Sequence, residues 1–334
     1  MTALLSNPAG RMQTLDLLRG IAALLVCWCH FSPTLPTAVA QQVASIGTAG
    51  VPIFFVISGF IIPWGLLKAD YGVASYPRFI AKRMLRLHPP YLLSLIFTIA
   101  LSFLAAAWQK KPMHDSIGDI LLESIYLKFP PENPVYWTLG IELQYYITLG
   151  LMFSLVFHRA AWVRHLAFVA MLAVGYVIKE AWPFASYLPF FAIGFLVVWH
   201  MKKLANTLVV IAYVLPVSAL AAIDHGMTWL IAGLSAASLI AVIPDLKVPR
   251  FFLFLGMISY SLYLIHFPLG IKAMNLLMPR IPEAFHAGLF IFLTVLVIGA
   301  GWLFYRLIEL PAIGWSSKVR LSDVPRKAVD GSTA

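Results

Sequence analysis

The stretch LDLLRGIAALLVCWCHF, residues 15–31, decides the fold of this chain. It is an apolar run of helical length that nevertheless contains Arg19 and, eleven residues later, His30. The eleven residues from one to the other make about three helical turns and rise roughly 16 Å, so both side chains project from nearly the same face. An ionisable group inside a membrane is costly unless it faces a cavity, a partner or a substrate. We therefore expect the stretch that anchors the chain also to take part in its chemistry.

The composition agrees with a membrane protein. Of 334 residues, 61% are hydrophobic and 11% are charged, whereas about a quarter of the residues are charged in an ordinary soluble domain. This predicts an all-α, polytopic integral membrane protein that forms one bundle. The net charge of +10 does not require a nucleic-acid partner, because basic residues concentrate in cytoplasmic loops of membrane proteins.

The hydropathy pattern predicts about ten transmembrane helices. The candidate spans are residues 17–35, 50–67, 90–108, 135–157, 166–179, 185–200, 206–222, 226–243, 251–270 and 285–308. With an even number of spans both termini share a side, and that side holds 18 of the 24 lysines and arginines. Both termini are therefore predicted to be cytoplasmic. We expect a transmembrane domain over residues 1–315 and a polar cytoplasmic tail over residues 316–334.

The first apolar run is expected to be a retained helix. It contains Arg19 and His30 and lacks a small-residue cleavage site after it, so we do not predict a cleaved signal peptide. The only two cysteines, Cys27 and Cys29, point in different directions on this helix. We therefore expect neither a disulfide nor a metal pair from them.

Three residues of this first span are candidate functional groups. Asp16 and Arg19 are three residues apart and can pair at the start of the helix, although Arg19 could equally snorkel to the interface. Pro33 and Pro36 end or kink the helix soon after His30, which would place that histidine in the outer half of the membrane. Its near-neutral pKa suits general-base work on a hydroxyl; the alternative is a hydrogen-bonded structural histidine.

The segment YPRFIAKRMLRLHPPY, residues 76–91, is the most basic loop. Arg83 and Arg86 would share one face of a short helix that leads into the third span. Paired guanidinium groups bind phosphate through two parallel hydrogen bonds, which indicates a phosphate clamp. The alternative is a cytoplasmic loop that lies on anionic lipid.

Two further segments contain ionisable residues inside apolar spans. In VYWTLGIELQYY, residues 135–146, Glu142 lies about a turn and a half past the outer start of its span, and Trp137 and Tyr145 could form an interface belt or a sugar-stacking surface. In ISYSLYLIHFPL, residues 258–269, His266 would lie roughly 22 Å from the cytoplasmic start of its span. Both could instead be interfacial or structural residues.

The depths of these residues suggest a shared site. When depth is counted along each residue's own span, we expect all three in the outer half of the membrane: His30, Glu142 and His266. We expect them to line one cavity, with a continuous path from His30 to Arg86 at the opposite, cytoplasmic mouth.

The order of these segments resembles that of the membrane-bound acyltransferase-3 family, which O-acylates sugars and polysaccharides. Two further segments share the resemblance: GVPIFFVISGF at residues 50–60 and IELP at residues 308–311. The resemblance implies ten spans, an acyl group taken from cytoplasmic acyl-CoA, and an acceptor at or beyond the membrane. It also implies that His30 is catalytic and that Arg19, Arg83 and Arg86 contact acyl-CoA. Thr138 stands where serine is common in the family.

We therefore predict a membrane O-acyltransferase with acetyl-CoA as its expected co-substrate, a cell-envelope or exported saccharide as acceptor, and the bacterial inner membrane as its location. Glu142 would orient the His30 imidazole, as carboxylates do in other acyl-transfer sites. Additional contacts are expected from Asp16, Trp137, Tyr145 and His266. No metal and no permanently bound cofactor are expected.

The alternative function is transport of a lipid-linked saccharide or a small metabolite. Intramembrane histidine and glutamate can form a proton relay. Internal inverted repeats, which many transporters have, are not evident in this sequence.

Overall fold

The computed structural model describes residues 12–109 and 116–321, and it contains helices and no strand within those ranges. The helices are α1 (Gln13–Phe31), α2 (Thr37–Gly47), α3 (Gly50–Lys68), α4 (Tyr76–Gln109), α5 (Ile117–Ser124), α6 (Trp137–Val156), α7 (Ala161–Ile178), α8 (Phe184–Met201), α9 (Thr207–His225), α10 (Met227–Val242), α11 (Arg250–Ile265), α12 (Lys272–Leu277), α13 (His286–Phe304) and α14 (Leu310–Ser317). Two π-helical segments, His266–Ile271 and Tyr305–Glu309, join α11 to α12 and α13 to α14.

The predicted fold class is confirmed. In the described ranges, nine helical segments are long and apolar enough to cross a membrane, and α10 is a shorter apolar helix. Each predicted span corresponds to one of these ten. The amphipathic helix α2, between the first two spans, was not predicted.

The predicted short helix before the third span is wrong. Residues 76–109 form one continuous helix, α4, which runs through Pro89 and Pro90. Proline cannot donate a backbone hydrogen bond, but neighbouring helices can supply donors to a carbonyl near such a break. Here the Tyr260 hydroxyl of α11 donates to the Leu87 carbonyl (2.8 Å), which is next to the Arg86 carbonyl that Pro90 leaves without its helical donor, so a tertiary contact holds the helix beside this break.

Hydrogen bonds show which helix ends share a side of the bundle. The Thr14 hydroxyl donates to the Ile243 carbonyl (2.5 Å), and the Lys82 ammonium donates to the Val319 carbonyl (2.7 Å). The starts of α1 and α4 therefore lie with the ends of α10 and α14. We call this end of the bundle the basic side; it is the side predicted to be cytoplasmic.

Some of the residues used for that topology prediction are not described. Five of the counted cations lie outside the described residues: Arg11, Lys110, Lys111, Arg326 and Lys327. The predicted boundary at residue 316 falls within α14, which ends at Ser317.

Glycine allows the central helices to approach closely. A Cβ atom at Gly256 of α11 would overlap the backbone of Asp16 in α1, and one at Gly59 of α3 would overlap the backbone of Phe191 in α8. Small residues at helix contacts are typical of membrane bundles, where packing rather than hydrophobicity drives association. These contacts fix α1, α3, α8 and α11 against one another and thereby position the residues described next.

Candidate active site

A cavity of about 330 Å³ lies among α1, α3, α4, α6, α11 and the π segment Tyr305–Glu309. It contains all three arginines that the sequence singled out. Its polar lining residues are Arg19, Ser58, Arg83, Arg86, Thr138, Glu142, Tyr146, Ser259, Tyr260, Tyr263 and Glu309. We call this space the arginine cavity.

The three arginines are not paired with a carboxylate in the part of the chain that the structure describes. Among the described residues, neither a hydrogen bond nor an ion pair engages Arg19, Arg83 or Arg86. The guanidinium of Arg83 instead packs over the Tyr146 ring at 5.7 Å, and its Nε is buried without an acceptor. A desolvated cation without a partner is costly. The three guanidinium groups are half-buried and line one cavity, which makes the site suited to a polyanion.

Glu142 contributes a negative charge to the same cavity. Its carboxylate accepts a hydrogen bond from the Tyr146 hydroxyl and a longer one from the Ser58 hydroxyl (3.4 Å). These contacts come from α3 and from the next turn of α6, so the carboxylate is held at the cavity wall. It can balance the arginine charges or accept a proton from a bound substrate.

Glu309 is a second acid of the arginine cavity, and the sequence reasoning gave it no role. It lies in a π segment, is buried, and accepts hydrogen bonds from the Ser261 hydroxyl (2.6 Å) and the Ser261 backbone N–H (3.2 Å). The signal that could have found it is the one that selected Glu142: an acid inside an otherwise apolar span.

The predicted depth of Glu142 is wrong. The reason is that the chain before α6 already lies inside the bundle: Tyr136 is fully buried and its hydroxyl bonds the hydroxyls of Ser94 (2.6 Å) and Thr98 (3.0 Å) in α4. The start of α6 is therefore below the outer surface, and Glu142 lies correspondingly closer to the basic side.

A packing contact between α4 and α6 confirms this position of Glu142 along the bundle. A Cβ at Gly150 of α6 would meet the Tyr76 ring at the start of α4. Glu142 is eight residues from Gly150 along α6, and Arg83 is seven residues from Tyr76 along α4. A helical rise of about 1.5 Å per residue therefore places both at nearly the same distance from this contact along the bundle. Glu142 thus lies with the arginines rather than with His30.

His30 and His266 form a separate pair. Their ring centroids are 5.4 Å apart, and Phe267 packs edge-on against His30 at 4.9 Å. His30 is half-buried and follows Arg19 by about 16 Å of helical rise, so the pair lies away from the basic side. The expectation that His30 and His266 approach each other is confirmed.

The hydrogen bonding of His266 indicates its tautomer. Its Nδ1 lies 2.7 Å from the Tyr263 carbonyl, while its Nε2 is buried and has no hydrogen-bond partner. A carbonyl can only accept, so Nδ1 carries the hydrogen and the Nε2 of the neutral ring keeps its lone pair. A buried proton acceptor therefore lies beside His30.

A π segment creates the position of His266. Pro268 has no N–H to donate to the Leu264 carbonyl four residues earlier. That carbonyl instead accepts a hydrogen bond from the Ser94 hydroxyl of α4 (3.0 Å). The helix widens over His266–Ile271, and π segments of this kind frequently occur at functional sites.

Tyr263 stands between the histidine pair and the arginine cavity. It lines the cavity, and its ring centroid is 5.7 Å from that of His266. Its hydroxyl is held by Thr138 (2.7 Å) and the Val135 carbonyl (2.9 Å), and Phe54 packs on its ring. His30 is not a lining residue of this cavity. The arginine cavity therefore does not extend to His30, and the predicted continuous path from His30 to Arg86 is not seen in the described residues, where Tyr263 lies between the cavity and His266.

Three other residues that the sequence predicted as contacts do not line the arginine cavity. Tyr145 is fully buried, stacks on Phe191 at 4.2 Å and donates to the Ser58 carbonyl (2.9 Å), so its ring is a core side chain rather than an outer surface. Trp137 is half-buried against Tyr187 at 5.0 Å. Asp16 is buried near the basic side and does not form the predicted ion pair with Arg19.

A bundle of apolar helices around a cavity lined by three arginines and two glutamates defines a polytopic membrane protein with a polar site inside its bundle. The profile of the family described as "Acyltransferase domain" matches residues 12–306. This match covers most of the chain, which belongs to that acyltransferase family.

Two similar proteins agree with this assignment. "Acyltransferase MdmB" from Streptomyces mycarofaciens is 27% identical in an alignment of 164 positions that covers 44% of this chain and 40% of that protein. "Putative membrane-bound transacylase BcsY" from Komagataeibacter xylinus is 26% identical in an alignment of 358 positions that covers 93% of this chain and 85% of that protein. No solved structure matches the chain. The protein is therefore placed in the class of membrane acyltransferases.

Proposed function

We propose that this protein transfers an acyl group, with acetyl as the expected group, from cytoplasmic acyl-CoA to a hydroxyl of a cell-envelope or exported saccharide. The observation that supports this donor is the set of three arginines, Arg19, Arg83 and Arg86, which line one cavity and form no ion pair with a carboxylate of residues 12–109 or 116–321. The diphosphate of CoA supplies the negative charge that such a set can bind.

The donor would lie along the axis of the bundle. With its phosphates on the arginines, its pantetheine arm would follow the apolar wall formed by Val51, Phe54 and Ile57 of α3. The thioester would then approach the histidine pair. Because Tyr263 and Phe54 separate the two sites in this structure, transfer requires these two rings to move aside.

His30 is proposed as the general base. It removes the proton from the acceptor hydroxyl, whose oxygen attacks the thioester carbonyl; the new C–O bond forms, the C–S bond breaks, and the proton passes from His30 to the departing CoA thiolate. The Nε2 of His266 is a hydrogen-bond acceptor that would orient the His30 ring. Acylation of His30 itself is the alternative course of the reaction.

Glu142 has a different proposed role from the one its sequence suggested. It lies at the arginine level, so we propose that it balances the cationic charge of the cavity before the donor binds. The saccharide would stack on Trp137 and Tyr187, whose half-buried aromatic rings pack on each other and are of the kind that binds sugars.

The experiment that tests the proposal is release of free CoA thiol by the purified protein in detergent, given acetyl-CoA and an extract of cell-envelope saccharides. We expect acceptor-dependent thiol release, together with an acetyl mass increase on a glycan that is absent from cells without the protein. A transporter would release no thiol, and that result with an intact, folded protein would reject the proposal.

A further inference from the structure

Two lysines from different helices converge on one tryptophan at the basic side. The Nζ of Lys202, at the end of α8, lies 4.0 Å from the centre of the Trp64 ring, and the Nζ of Lys68, in the last turn of α3, lies 5.6 Å from it. Cations are favoured at helix C-termini and on aromatic faces. Neither effect explains why two ammonium groups share the same ring.

These lysines lie apart from the acidic residues that the structure describes. Among the described residues, the ion pairs involve other lysines, and none engages Lys68 or Lys202. Asp70, the nearest acid along the chain, is also outside ion-pairing distance of Lys68. Two like charges on one ring repel each other, so the arrangement gains stability when an anion lies between them.

The cluster formed by Trp64, Lys68 and Lys202 lies beside the open end of the arginine cavity. Gly65, next to Trp64, lines that cavity and faces open space. Ile61 also lines it and is 38% exposed, so the cavity opens at this part of α3. Lys68 follows Ser58, which bonds Glu142, by ten residues or about 15 Å of helical rise toward the basic side.

We propose that this cluster is a second anion subsite, which binds the nucleotide end of the donor: the two ammonium groups hold the ribose phosphomonoester and the indole packs against the purine. The proposal rests on acyl-CoA being the donor. The proposal follows from the order of groups in acyl-CoA. If the diphosphate lies on the arginines and the thioester points inward, the nucleotide lies at the open end of the arginine cavity. Lysines bind phosphate as point charges, and aromatic side chains stack on bases.

The test compares acetyl-CoA with acetyl-dephospho-CoA, which lacks the ribose 3′-phosphate. For the wild-type protein in detergent we expect a KM about tenfold lower for acetyl-CoA, from the added charge-assisted contacts. Lys202→Gln should raise the KM for acetyl-CoA by a similar factor, leave the KM for acetyl-dephospho-CoA unchanged, and leave kcat unchanged with both donors. Lys203→Gln is the matched control, because it removes the same charge from the neighbouring residue.

The possible failures are distinguishable. This inference would be overturned by equal KM values for the two donors in the wild-type protein, or by an equal change in KM for both donors in Lys202→Gln. Either result would show that the lysines form only a cation–π contact, and the proposal of acyl-CoA as donor would stand. Absence of turnover with either donor in the folded wild-type protein would overturn the proposed function itself, and this inference with it.

Discussion

At the scale of single residues, the main feature of this molecule is a set of charges that other side chains leave unpaired. Arg19, Arg83 and Arg86 line one cavity, yet no described carboxylate lies within ion-pairing distance of them. Glu142 is engaged by hydroxyls instead. Because half-buried charges without a partner lower stability, this arrangement is the reason for our proposal that the cavity binds an anionic donor.

Arg86→Lys is expected to weaken donor binding. The substitution keeps the charge but removes the fork that forms two parallel hydrogen bonds with phosphate, a loss of about 1.5–3 kcal/mol. This corresponds to a rise of roughly ten- to a hundredfold in the KM for acetyl-CoA. Steady-state kinetics of thiol release provide the measurement. Arg78→Lys, at an exposed residue of the same helix that does not line the cavity, is the control; equal effects of the two substitutions would indicate a general charge effect.

His266→Asn is expected to reduce turnover without unfolding the protein. The asparagine amide can occupy the place of Nδ1 and donate to the Tyr263 carbonyl, which keeps the contact seen at 2.7 Å, but it lacks the Nε2 acceptor. We expect a lower kcat with an unchanged KM for acetyl-CoA and a similar thermal midpoint. If kcat is unchanged, His266 is a structural residue and does not orient His30.

At the scale of helices, close contacts and local irregularities set the site. Glycines bring α1 against α11 and α3 against α8, which places Arg19 and Ser58 on the cavity wall. The two π segments contain His266 and Glu309. Regular helices would rotate both side chains away from their observed positions, because a π segment adds a residue to one turn.

Gly59→Ala is expected to destabilise the bundle. Its Cβ would overlap the Phe191 backbone of α8, which cannot move as a flexible side chain could. Overpacking of this kind costs about 1–3 kcal/mol and should lower the thermal midpoint in detergent. Gly299→Ala in α13 is the matched control, since a Cβ there meets nothing within 4 Å. A comparable midpoint for the two variants would show that the α3–α8 contact is not as tight as described.

Particular residues show what the sequence could predict. Apolar runs and their flanking arginines predicted the helices, because membrane insertion depends on local composition. The depth of Glu142 could not be predicted, since it depends on Tyr136 being buried against Ser94 of another helix. The π segment at His266 likewise depends on a hydroxyl from α4 that bonds the Leu264 carbonyl. Both errors arise from tertiary contacts that a single span does not encode.

At the scale of the whole molecule, the charged and polar groups are ordered along the bundle. From the basic side inward lie the Trp64 cluster, the arginine cavity, the layer of Tyr263 and Phe54, and the pair of His30 and His266. A long donor with phosphates at one end and a thioester at the other fits this order. The acceptor would then approach from the side opposite the donor.

This order predicts a sided reaction. Acetyl-CoA does not cross a bilayer, so thiol release should require the donor on the basic side, which is the predicted cytoplasmic face. We expect activity in inverted membrane vesicles and little in sealed right-side-out vesicles until detergent is added. Equal activity in both kinds of sealed vesicle would contradict the direction of transfer.

The central claim is that His30 performs the transfer while the arginines bind the donor. The most direct test measures thiol release by purified His30→Ala and, in the same preparation, the affinity of this variant for CoA. Loss of a general base lowers turnover by about 10²–10⁴-fold, so the account predicts that kcat falls by this factor while CoA affinity, the thermal midpoint and membrane levels stay at wild-type values. His200→Ala, which removes an exposed histidine of α8, should retain full activity. Wild-type turnover by folded His30→Ala would contradict the account.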